Sequence, residues 1–100
     1  MAALEHDEFS KYLNTNFRIF IDESQSIEAE LSEVSELLLS SRQERFAIDF
    51  RGPKEPRLTQ GMHRFAHDEM GDFDLFIVPL RHDEHHIYYE AVFNRLRKDN

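Results

Sequence analysis

Asp74-Leu75-Phe76-Ile77-Val78-Pro79-Leu80 decides the fold. Side chains alternate along an extended chain, so Leu75 and Ile77 share one face and Phe76, Val78 and Leu80 share the other. A strand that is apolar on both faces asks for a central place with cover on each side. The apolar run from Leu75 to Leu80 is far too short to span a membrane as a helix.

The flanks read as strands too. Before it, Gly61 to Asp68 is a strand candidate, and Glu69-Met70-Gly71-Asp72 reads as a hairpin loop with Gly71 at a positive-φ position. After it, His82-Asp83-Glu84-His85 is a polar turn. Ile87, Tyr89, Ala91 and Phe93 then point one way, and Tyr88, Glu90, Val92 and Asn94 the other. Further out, Phe46, Ile48 and Phe50 alternate with Ala47 and Asp49, and Phe17, Ile19 and Ile21 alternate with Arg18 and Phe20. Arg51-Gly52-Pro53-Lys54-Glu55-Pro56-Arg57 reads as a loop, because two prolines and a glycine serve a ladder poorly.

Phe9, Tyr12 and Leu13 fall at i, i+3 and i+4, which predicts a short helix over Asp7 to Leu13. Asp7 and Glu8 suit its positive end, and Asn14 tolerates a left-handed stop. Gln25 to Leu39 reads both ways. Ile27, Leu31, Val34 and Leu38 make a helical stripe, whereas Ile27, Ala29 and Leu31 alternate with Glu28, Glu30 and Ser32 as a strand would.

Short strands with hairpin-type connections and no interleaved helices indicate an antiparallel sheet. The expected fold is mainly β: a six-stranded antiparallel barrel or two-sheet sandwich, with a short N-terminal helix over one opening. One hundred residues make a single domain, able to bury about two-thirds of its surface. Nine phenylalanines supply much of the core. With no cysteine there is neither a disulfide framework nor a thiolate zinc site. The first residues carry no secretory pattern, and a cytoplasmic location is expected.

Net charge is −8, unevenly placed. Met1 to Ser41 holds nine acids and two bases, Arg42 to His67 six bases and three acids, and Asp68 to Glu90 seven acids and one base. Such a chain repels phosphate backbones, so no nucleic-acid partner is expected. The aromatics interleaved with Arg42, Arg45, Arg51, Lys54, Arg57 and Arg64 point inward by alternation and are not free to stack on bases.

Three stretches together resemble a known family. They are Phe46-Ala47-Ile48-Asp49-Phe50-Arg51-Gly52-Pro53; Leu58-Thr59-Gln60-Gly61-Met62-His63-Arg64-Phe65; and Gly71-Asp72-Phe73-Asp74-Leu75-Phe76-Ile77-Val78-Pro79 with Tyr89-Glu90-Ala91-Val92-Phe93-Asn94. The pattern is similar to that of a family of small bacterial proteins known as a domain of unknown function. The resemblance covers Leu4 to Asn94 and departs where Glu5 replaces a frequent Thr and Asn14 stands near a frequent Gly. It implies that Ile27 to Val34 is an alternating strand ending in Glu33-Val34, with a bulge or bend near Ser32-Glu33. It implies no activity.

Histidines are the first candidate for chemistry. His63, Phe65 and His67 share a strand face, while His82, His85 and His86 crowd one turn beside Asp83 and Glu84. Imidazoles flanked by carboxylates are what a zinc or nickel site uses. The plain alternative is surface histidines on a strand and a hairpin tip. The second candidate is polar: Gln60 and Gly61, with Glu90 and Asn94 on one strand face, form either a ligand patch or a structural network. No serine stands in a Gly-x-Ser-x-Gly elbow, and there is no phosphate loop, dinucleotide fingerprint or two-histidine helix motif. The expectation is a non-enzymatic binding or structural module without a cofactor. Its partner is another protein or a second copy, with no membrane partner, as in an accessory subunit of a larger bacterial assembly. The alternative is a barrel that binds metal or a small ligand through its histidines.

Overall fold

In the computed structural model, which describes residues 4–96, alternating burial resolves into one helix and seven strands. α1 spans His6–Lys11, β1 Asn16–Phe20, β2 Ser26–Val34, β3 Leu38–Leu39, β4 Gln43–Pro53, β5 Gly61–His67, β6 Gly71–His82 and β7 His86–Leu96. The order is β2-β1-β5-β6-β7-β4-β3, and every pairing is antiparallel. Pairing of β2 with β4 closes six strands into a barrel, leaving β3 as a short extra edge on β4. Closure removes most of the exposed edges that an open sheet of this size would carry. Of the two expected architectures, the barrel is the one formed.

Aromatic rings fill the interior. Phe17, Phe46, Phe50, Phe65 and Tyr89 are each 2% exposed or less. Phe17 meets Phe50 edge-on at 5.2 Å, and Phe50 meets Phe65 at 4.9 Å. Each buried ring contributes about 1.5–3 kcal/mol by leaving water.

The ambiguous segment is a strand. β2 pairs with β1 from Asn16–Glu30 to Phe20–Ser26, and with β4 through a register shift between Leu31 and Glu33. The bulged residue is Ser32, whose hydroxyl donates to the Asp49 carbonyl at 3.2 Å. Tertiary pairing on both edges outweighs the helical propensity of Glu and Leu here.

The two ends are plugged differently. At one end β6 and β7 pair only from Val78–Glu90 to His82–Ile87, and beyond Val78–Glu90 they diverge. Phe9 of α1 stands in this split, fully buried, with its ring 6.0 Å from Phe73 and 5.5 Å from Phe93. Arg95 ties the helix down by donating to the Leu4 carbonyl at 2.6 Å and to the Glu44 carboxylate at 3.0 Å. At the other end the loop over residues 54–60 carries Leu58 inward to 1% exposure, and its N–H donates to the buried Tyr89 hydroxyl at 2.9 Å.

Three expectations need correction. Arg51, Gly52 and Pro53 belong to β4, with Gly52 opposite Ile87 and Pro53 opposite His86. Gly52 faces the interior where the barrel is narrow: a Cβ there would lie 3.3 Å from Ile27 Cδ1 and 3.6 Å from Ala29 Cβ. Pro53 is the last residue of the strand, where its missing N–H costs little. Second, the helix stops at Lys11, so Leu13 is left 40% exposed before Asn14 turns with φ +69°. Third, only one face of Asp74 to Leu80 is covered. Leu75 and Ile77 are buried, but Phe76, Val78 and Leu80 are 51%, 37% and 45% exposed. A single closed layer has one inside, so its outer face meets solvent.

Candidate functional site

β1 and β5 part company early. Their ladder holds only Arg18 opposite Ala66 and Ile19 opposite Phe65. β5 itself continues to Gly61, paired with β6 along its whole length. Between the end of β1 and the start of β5 a groove of about 780 Å³ opens. Its walls carry Phe20 and Ile21 on one side and Met62 and Arg64 on the other. Asp22 and Glu23 stand at the rim, and Thr59, Gln60 and Gly61 close one end.

His63 clasps this seam. Its Nδ1 lies 3.0 Å from the Phe20 carbonyl and its Nε2 lies 2.8 Å from the Thr59 carbonyl. Both partners are acceptors, so whichever ring nitrogen carries the proton donates, to β1 or to the loop ahead of β5. Arg64 lays its guanidinium 4.0 Å above the Phe20 ring centroid. The Asp22 carboxylate accepts the Ser24 N–H at 2.8 Å and the Gln25 N–H at 2.9 Å, and these bonds hold it below the usual carboxylate range. It therefore stays ionised.

His67 does different work. Its ring is tilted against two others, with centroids 4.3 Å from Phe17 and 4.7 Å from Tyr12. Nδ1 accepts the backbone N–H of Glu69 at 3.0 Å and of Met70 at 3.1 Å, which builds the turn into β6. That assigns the proton to Nε2, which donates to Thr15 Oγ1 at 3.0 Å; the Thr15 hydroxyl donates on to the Tyr12 carbonyl at 2.6 Å. Both ring nitrogens are thus committed inside the fold.

The turn histidines lie at the far end of β6. Asp83 accepts the backbone N–H of His85 at 2.9 Å and of His86 at 2.8 Å, and this pulls its carboxyl below its ordinary value. His85 and His86 present their rings 6.4 Å apart, and His82 is exposed. Among the described residues no group of three or more His, Asp or Glu side chains is placed to hold a metal ion.

The polar set divides. Gln60 and Gly61 open β5 at the groove, and Gly61 has φ +148° with open space around its missing Cβ. Glycine is needed there for the backbone bend, not for close approach. Glu90 and Asn94 lie on β7, with β6 between them and β5. Asn94 is opposite Arg45, and Glu90 is opposite both Asp49 and Val78.

Glu33, Asp49 and Glu90 therefore form a row of acids across β2, β4 and β7. Burial pushes the Asp49 carboxyl above its ordinary 3.8, Glu90 and Glu33 add to this, and Arg81 at 3.7 Å opposes it. A carboxyl raised on folding takes up its proton earlier in the folded chain than in the unfolded one. Its favourable contribution is then complete below 3.8 and is lost as pH rises through the folded value. Asp49→Asn is accordingly expected to be more stable than the wild type at pH 7, and to lose that advantage as pH falls towards 4. Paired urea melts at the two pH values measure this. A variant weaker than wild type at pH 7 contradicts it.

The groove and the clasp were missed from sequence. The signal was there only in part: Gln60-Gly61 marked the end of the groove, and the even spacing of His63 and His67 marked their shared face.

A family model described as Domain of unknown function (DUF6916) matches residues 4–93. No curated protein and no solved structure matches the chain.

Proposed function

This chain belongs to the DUF6916 family of domains of unknown function, and from its geometry we propose that it is a non-enzymatic protein-interaction module. It engages another protein through the outer face of β5 and β6, as an accessory subunit of a larger assembly does.

One observation carries this reading. Met62, Phe76, Val78 and Leu80 are large, apolar and 37–63% exposed on the solvent side of two adjacent strands. Met62 and Phe76 are direct cross-strand neighbours. The outer faces of β1, β2 and β4 instead carry Asn16, Arg18, Glu28, Glu30, Arg45 and Arg51. A grouped apolar patch rimmed by charge marks a contact surface.

Size narrows the partner. Four half-exposed side chains offer on the order of 300–400 Å² of apolar area, against about 800 Å² per partner in a stable interface. A second copy seated on this patch alone would be held too weakly. A partner that also reaches neighbouring polar ground, such as the β1–β5 groove, fits better.

The test is a comparison of three tagged proteins in extract of the source cells. Phe76→Asp with Val78→Asp is expected to keep the fold, because both side chains point outward, within about 0.5 kcal/mol per site. It should lose a protein that the wild type and an Arg18→Asp control both retain. If every captured protein is indifferent to the double substitution, the reading is wrong.

A further inference from the structure

We propose that the β1–β5 groove receives an extended, basic segment of the partner, laid as an added strand on the open edge of β5. This rests on the protein-interaction reading above and specifies what its partner brings.

The backbone geometry comes first. Ile21 donates its N–H to Gln25 on the hairpin side, so odd residues of β1 face β2 and even residues face β5. Arg18 opposite Ala66 then fixes the even residues of β5 as those facing β1. Met62 lies beyond the last pair, so its peptide N–H and C=O point into the groove where no strand runs opposite. The Phe20 carbonyl, next in line to continue the ladder, lies 3.0 Å from Nδ1 of His63 instead. An exposed stretch of strand edge is a template for another chain.

Side chains set what fits. An added strand turns alternate residues to the two sides. One set meets Met62, 63% exposed on the outer face; the other turns to the inner face beside Ile21, 36% exposed at the rim. Two carboxylates, Asp22 and Glu23, stand there, and Asp22 is held ionised by the turn it caps. Among the described residues lining the groove the one lysine or arginine is Arg64, which lies over Phe20 and opposite Asp74. Local charge therefore favours lysine or arginine on the incoming segment, and the net −8 of the chain favours its approach.

The experiment uses two synthetic seven-residue peptides with blocked ends, one alternating Val and Lys, the other alternating Val and Glu. Each is titrated into the full chain, with amide shifts and hydrogen exchange read residue by residue. The Val-Lys peptide should give saturable shifts at Met62 and Arg64 and slow exchange of the Met62 amide. Asp22→Asn with Glu23→Gln, which keeps the Asp22 acceptor oxygen, should weaken that binding roughly three- to tenfold. Equal binding of the Val-Glu peptide, or shifts that avoid β5, overturns the proposal. Loss of the captured partner on the Phe76 and Val78 substitutions alongside either of those results leaves the interaction module standing and removes only the basic strand.

Discussion

Phe9→Ala is expected to cost about 3–5 kcal/mol, the range for deleting a fully buried aromatic ring. Phe9 is the one core side chain contributed by the helix, and it is wholly enclosed. Its neighbours Phe46, Phe73 and Phe93 lie on three strands, two of which diverge at that point. Removing the ring leaves a cavity that β6 and β7 cannot close by pairing, because the barrel is held open on their other edges by β5 and β4. The six-residue helix has little stability of its own and should detach with it. Urea denaturation followed by circular dichroism measures the loss. Phe9→Leu should lose less than half as much, since it keeps most of the filling volume. A loss below about 1 kcal/mol for the alanine variant would mean that the helix is not the plug described here.

The second large effect is at His67. His67→Ala is expected to destabilise by about 2–4 kcal/mol, because two backbone N–H groups lose a shared acceptor and two aromatic rings lose their neighbour. The donors are those of Glu69 and Met70, and the rings are those of Tyr12 and Phe17. His67→Asn places its carbonyl oxygen near the position of Nδ1 and should recover about half of the loss. His67→Leu keeps the apolar volume without an acceptor and should recover less. Were leucine the better replacement, the ring would matter for packing alone, and the turn into β6 would not depend on it.

Both sites show how far sequence alone reaches. The alternation of Phe46, Ile48 and Phe50, and of Ile87, Tyr89 and Ala91, leads straight to buried strand faces, all 4% exposed or less. Period-two burial is a local property, so a single strand displays it. Gly71 at φ +83° and Asn14 at φ +69° were equally legible, since each conformation belongs to residues of that type. Residue types place His67 on the face of Phe65 and leave open a metal ligand or a plain strand histidine. Its real partners are Thr15, far away in the chain, and two amides of a turn whose path the residue types do not disclose. Leu58 sat in an apparently polar loop, and nothing nearby announced that Tyr89 would hold it.

What residue order determined by itself is the strands around Phe17, Phe46–Phe50, Gly61–His67, Leu75–Leu80 and Ile87–Phe93 and the turns near residues 22–24, 69–72 and 82–85, because these follow from side-chain alternation and turn chemistry within a few residues. Tertiary structure alone decided that β2 meets β4, so that the sheet closes and Phe76 and Val78 face solvent rather than a second layer. It also decided that β1 leaves β5 after two pairs and opens a groove. Both are choices of long-range partner. Such choices are set by the summed packing of many strands at once, and no short stretch of sequence contains that sum.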